Sequence, residues 1–153
     1  MPELNLQDFP SNGPLLGVDP GAKSLGVAVS DSLRMIATPV EIITRGKKLR
    51  PALTRLFDIY DDRACSGLIM GLPLNLDGTA GTRVQAAKAL AHNILQFRDV
   101  PLFFQDERLS SAEAERVMLA ADLTRARRAE TIDASAAAII LQTALDRLAN
   151  LGN

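Results

Sequence analysis

Two apolar runs, Leu15 to Val18 and Leu25 to Val29, flank the short stretch Asp19-Pro20-Gly21-Ala22-Lys23-Ser24. The Pro-Gly pair is turn chemistry. The segment LLGVDPGAKSLGVAVSD therefore reads as two strands folded into a hairpin. The first of these strands ends on an acid, Asp19. A carboxylate at the end of an apolar strand is costly unless it finds a partner. The strand must lie in the interior, and its C-terminal end must open where Asp19 has company.

The remaining chain supplies the frame. ATPVEIIT is a third strand, and Pro39 marks it as an edge strand or a bulge. Leu53, Leu56, Phe57 and Tyr60 recur at helical spacing, with Pro51 in the first turn. GLIMGLP is a short apolar strand, followed by the loop LNLDGTAG. Val84, Ala87, Ala91, Ile94 and Leu95 mark a second helix, opened by Thr82 and Gln85 as a capping box. VPLFFQDE is the fifth strand. SSAEAERVML starts a helix, with Ser110 and Glu113 as its capping box. The basic link TRARR then leads to a last helix from about Thr131 to Ala149. In that helix Ile132, Ala136, Ile139, Ile140 and Thr143 form a stripe turned to the sheet. Leu141, Leu145 and Leu148 form a second apolar side, to be covered by a neighbouring helix or by a second copy in a homodimer. Three strands, then alternating helices and strands, give an α/β fold: one mixed sheet with helices on both faces. The 153 residues hold one domain, residues 15–150, behind a flexible N-terminal tail, residues 1–14.

Several classes drop out. A net charge of −1 gives no global basic signal, so any contact with nucleic acid must use a local patch. The single cysteine, Cys65, rules out a disulfide framework and a cysteine zinc site. No apolar run spans a bilayer and no signal-peptide pattern opens the chain, so a cytoplasmic protein without membrane contact is expected.

Right-handed crossovers place the fourth and fifth strands parallel to the first. Their C-terminal ends then share one rim, which is where ligand sites of such sheets form. Asp19 stands at that rim, with Asp106 and Glu107 at the end of the fifth strand. Asp133, in the first turn of the last helix and at the edge of its stripe, adds a third segment. Each acid has an ordinary reading too: a turn residue, a helix cap, an ion-pair partner for Arg108. Together they point to a site for Mg²⁺ or Mn²⁺, since hard cations take carboxylate oxygens and relieve the mutual repulsion of the acids.

The segments GVDPGAKSLGVAVSD, GLPLNLDGTAGTR, DERLSSAEAE and IDASAAAIILQTALD resemble, in order, the signature segments of the bacterial YqgF (RuvX) family. Its members are RNase H-like proteins described as Holliday junction resolvases and as pre-16S rRNA nucleases. The resemblance runs from about Leu15 to Leu148. It implies an RNase H-like five-stranded sheet of order 3-2-1-4-5 and metal-dependent cleavage of structured nucleic acid. It carries the family's acids onto Asp19, Glu107 and Asp133, with Asp106 as the alternative to Glu107. It favours Asn75 and Arg83 as substrate contacts; Gly21, whose turn either presents backbone N–H groups to a phosphate or is a plain hairpin turn, Lys23 beside it, and Arg108 are the further candidates.

Three functions follow for testing. The first is an endonuclease acting on structured RNA in pre-16S rRNA processing, or on branched DNA as a junction resolvase. The second is a non-catalytic nucleic-acid-binding factor in ribosome assembly. The third is ATP binding, because GVDPGAKSLGVA is similar to the phosphate loop of actin-like kinases, although those proteins close two such domains around the nucleotide.

Overall fold

The computed structural model describes residues 9–10, 12–73, 81–106 and 125–151, with backbone alone over 125–135. The chain runs through β1 (Leu15–Pro20), β2 (Ser24–Ser30), β3 (Ala37–Thr44), α1 (Arg50–Asp62), β4 (Gly67–Leu72), α2 (Thr82–Phe97), β5 (Leu102–Asp106) and α3 (Arg125–Leu151). The strands form one sheet in the order β3-β2-β1-β4-β5. The β1-β2 and β2-β3 pairs are antiparallel, while β4 pairs parallel with both β1 and β5. This is the 3-2-1-4-5 order expected of an RNase H-like sheet. β3 is the edge strand, and the register slips between Val27 and Ala28, where Ala28 faces Pro39. Both readings of Pro39 therefore hold.

Alternation along the strands divides the core into two layers. Leu16, Val18, Leu25, Val27, Leu68, Met70 and Leu102 pack with Leu53, Leu56 and Phe57 of α1 and with Leu90, Ala91 and Ile94 of α2. Leu15, Ala28 and Ile69 pack on the other face with Ala137, Ile140, Leu141, Ala144 and Leu145 of α3. Phe9 closes the lower edge of this second layer, edge-on to Phe103 at 6.4 Å and against Gly67. Among the described residues, no helix is long and apolar enough to cross a membrane.

Three local expectations need correction. α2 is capped by Gly81 with no side-chain bond, so Thr82 is already helical and the Thr82/Gln85 box does not form. α3 begins at Arg125, so the basic link lies within the helix. Arg and Ala are strong helix formers, and their charge pattern concealed that propensity. The sheet-facing side of α3 is also rotated from the expected stripe. Leu141 and Leu145 are fully buried, whereas Ala136, Ile139 and Thr143 are only half-buried. The chain's own sheet covers Leu141 and Leu145 of the supposed second apolar side, while Leu148 is half-buried beside them. The Ser110/Glu113 box lies outside the described residues.

Gly17 explains the rotation. A Cβ built there would lie 2.8 Å from Leu141 Cβ and 3.0 Å from the carbonyl oxygen of Ala137. The helix backbone thus sits directly on β1, and small residues must face it. Gly17→Ala should destabilise the fold by about 1–3 kcal/mol, because the carbonyl cannot move aside as a flexible side chain would. A urea or thermal unfolding midpoint unchanged from wild type would contradict that packing.

Candidate active site

Asp19 is the penultimate residue of β1 and is half-buried. It shares the strand parity of Leu15 and Gly17 and so stands on the α3 face of the sheet. Its partner on β2 is Gly26. On the other side Val18 pairs with Met70, which brings Asp19 level with Gly71 of β4. Gly71 in turn pairs with Gln105 of β5. The row across the sheet is therefore Gly26, Asp19, Gly71, Gln105: a carboxylate between two residues without side chains.

α3 crosses this row. A Cβ at Gly26 would lie 3.4 Å from Asp19 Cβ and 3.6 Å from Ala137 Cβ. Lower residue numbers on α3 thus accompany higher numbers on β1, from Leu141 above Gly17 to Ala137 beside Gly26. Asp133 stands four residues before Ala137, on the same helical track and one turn further toward the rim. An open cavity of about 290 Å³ lies here, lined by Asp19, Gly21, Ser24, Gly26, Ala136 and Ala137 together with residues 39–42 of β3.

The turn after Asp19 is tightly held. The Gly21 N–H donates to the Ser24 carbonyl at 3.0 Å. A Cβ at Gly21 would fall 2.5 Å from that same oxygen, so the glycine is required by close approach. Its N–H is thereby engaged within the turn. Arg45, which the sequence reading missed, straps the turn from the end of β3. Its backbone N–H donates to the Lys23 carbonyl at 2.8 Å, and its Nη1 donates to the Gly21 carbonyl at 2.6 Å. Lys23 itself is exposed.

At the far side of the row, Gln105 is buried, and its Oε1 accepts a bond of 3.2 Å from Arg147 Nη1. The Arg147 guanidinium also lies 5.5 Å from the centre of the Phe103 ring. A glutamine directly after the apolar run VPLFF was the available sign of this buried polar link. Asp106 ends β5 level with Leu72 and has the parity of Leu102 and Phe104, whose side chains join the α1/α2 layer. It therefore stands on the opposite face from Asp19. Arg83 is exposed in the first turn of α2. Glu107, Arg108 and Asn75 lie outside the described residues. Among the described residues, no group of three or more acidic, histidine or cysteine side chains could hold a metal ion.

The chain matches the RuvX family, described as Holliday junction resolvase, over residues 13–147. A protein from Phenylobacterium zucineum named "Putative pre-16S rRNA nuclease" is 50% identical over 144 residues, covering 93% of this chain and 92% of that protein. A protein of the same name from Rhodobacter capsulatus is 50% identical over 144 residues, covering 94% and 90%. Among solved structures, T. thermophilus RuvC in complex with a Holliday junction substrate superposes with a TM-score of 0.57 at 13% identity, covering 92% of this chain and 97% of that one. At that identity the likeness is one of fold.

Cys65 offers no competing nucleophile. It precedes β4 at the opposite rim, half-buried beside the α1/α2 layer. Burial, the largest influence, pushes its thiol up to about 11. A thiol with a raised folded-state pKa stabilises the fold while protonated. That contribution is present below pH 9 and is lost as the pH climbs through about 11. At pH 8 the native thiolate population should be roughly a hundredfold below that of the urea-unfolded chain. Thiol-exchange rates with a chromogenic disulfide, native against unfolded, check this; equal rates would contradict it.

Proposed function

The chain belongs to the RuvX family, and we propose that it is a divalent-cation-dependent endonuclease that hydrolyses phosphodiester bonds of structured nucleic acid. The names of its half-identical relatives support precursor 16S rRNA as the substrate. The observation that carries the reading is Asp19: a half-buried carboxylate at the C-terminal end of the central strand, with glycine on both neighbouring strands and an open cavity beside it. Glycine on either side leaves room for a phosphate and a hydrated cation, where larger side chains would fill the space.

Asp19, Glu107 and Asp133 are the proposed ligands of Mg²⁺ or Mn²⁺. The donor set fits, since carboxylate oxygens suit hard cations and no cysteine or histidine lies along the row. When bound, such ions lower the pKa of an attacking water and stabilise the leaving oxygen. Glu107 is favoured over Asp106 because Asp106 takes the face opposite Asp19. Asp133, four residues before Ala137 in α3, is the proposed ligand from the helix. Lys23, Asn75, Arg83 and Arg108 are proposed to contact the substrate backbone.

A second substrate, branched DNA, is favoured by the family's description as a junction resolvase. A homodimer would suit such a junction, and sedimentation with and without junction DNA tests for one. The non-catalytic reading is disfavoured because acids stand at all three family positions.

Cleavage of a labelled precursor 16S rRNA fragment and of a four-way DNA junction, in Mg²⁺, Mn²⁺ and EDTA, tests the proposal. Asp19→Asn should lower the rate by roughly a hundredfold or more, on the order of 3 kcal/mol of transition-state stabilisation, with an unchanged melting temperature. Undiminished cleavage by that variant would remove the site. Glu107→Gln should cost about as much, whereas Asp106→Asn should keep most of the activity. The reverse ranking would assign the ligand to Asp106.

A further inference from the structure

Between Glu41 and Asp58 the chain carries five basic residues, Arg45, Lys47, Lys48, Arg50 and Arg55, and no acidic one. In a protein of net charge −1 this is a concentrated positive segment. Two of the five are occupied. Arg55 pairs with Glu41 at 2.6 Å, and the Arg50 guanidinium lies 5.5 Å from the centre of the Phe97 ring. Arg45, Lys47 and Lys48 remain, in the connection from β3 to α1. This connection leaves β3 at Thr44, the register partner of Ser24, and so starts from the rim that carries Asp19. Arg45 binds it to the β1-β2 turn through the Lys23 and Gly21 carbonyls. Lys23, Lys47 and Lys48 are exposed, and none of them forms an ion pair among the described residues. A Cβ at Gly46 would meet nothing within 4 Å, so the connection is open to its surroundings. The first turn of α1 carries no acidic side chain to oppose it.

We propose that Lys23, Lys47 and Lys48, held together by the Arg45 strap, form a track that binds the phosphate backbone of a double-stranded arm adjoining the cleaved bond. This rests on the nuclease reading and adds to it the surface that holds the flanking duplex. Lysines are point charges suited to phosphate. The connection has no aromatic side chain on which bases could stack, which favours a duplex backbone over a single strand. Such contacts position the substrate without reading its sequence.

Binding by the full chain in EDTA, followed by fluorescence anisotropy over a KCl series, tests the track. One arm uses a labelled RNA duplex and the other a four-way DNA junction, which separates the two sources of backbone. Lys47→Ala/Lys48→Ala should make the plot of log affinity against log salt shallower by about 1.8, or about 0.9 per lost phosphate contact on a DNA duplex. The same variant should raise KM for cleavage and leave kcat near wild type. Arg63→Ala/Lys88→Ala makes the same charge change elsewhere and should keep the wild-type slope. Unchanged slope in the first pair, or an equal change in both pairs, would overturn the track. Because binding is read without metal, the two proposals fail separately. Weakened binding beside a wild-type chain that never cleaves keeps the track and sinks the nuclease. Intact cleavage with coincident slopes does the opposite.

Discussion

The rest of this fold depends on a contact between a helix and a strand: α3 rests directly on β1 at Gly17, with the carbonyl of Ala137 and the Cβ of Leu141 where a side chain would otherwise stand. Helices usually ride on a sheet at a distance set by the side chains between them. Removing the side chain from the strand lowers the helix and fixes its rotation. Ala137 and Ala144 are buried for this reason, while the bulkier Ile139 turns half outward. Rotation of α3 decides which of its residues lie over the C-terminal end of β1. A helix turned by one residue would carry Ala137 away from Gly26 and the row of Asp19.

Glycine recurs around Asp19 for a related reason. Gly26 and Gly71 flank it across the sheet, and Gly21 closes the turn behind it. Each glycine forgoes a side chain that could have contributed to the core, and glycine is among the weaker residues in a strand. That loss of packing makes little sense for stability alone. It makes sense where a bulky polar group must approach the backbone beside a carboxylate. β4 brings no acid to this level, since its position in the row is Gly71.

Much of this was legible in the sequence because strands in a two-layer core announce themselves. GLIMGL and LLGV are short, apolar and bounded by turn residues, and the pairing order follows from crossover handedness once the strands are found. Pro39 identified the edge because a residue without an N–H cannot sit between two paired strands. Asp19 stood out because an acid after an apolar run needs an account. What escaped was anything dependent on depth. The expected stripe of α3 included Ile140, which is buried, but also Ala136, Ile139 and Thr143, which are half-buried, because the close approach at Gly17 turns Ala137 and Leu141 to the sheet instead. Thr82 looked like a cap, yet Gly81 already supplied the extended backbone a cap requires. Arg45 and Arg147 escaped because their partners are a main-chain carbonyl and a buried amide far away in sequence. No local pattern encodes such a bond.

Charge separation is the remaining consequence of the topology. A carboxylate such as Asp19 repels a polyanion unless cations offset it, and the near-zero net charge means the chain supplies no general attraction. Positive charge must then be local and close, within about a Debye length of 8 Å at physiological salt, to be felt at the site. The antiparallel β1-β2-β3 meander meets this requirement directly. It brings the end of β3 back beside the turn that follows Asp19, so the basic connection to α1 starts where the acid of β1 ends. Had β3 paired parallel to β2, that connection would leave from the opposite rim, and the lysines would draw the backbone away from the cavity. The edge hairpins of this sheet therefore do more than extend it: they set positive charge beside negative charge at a single end of the molecule.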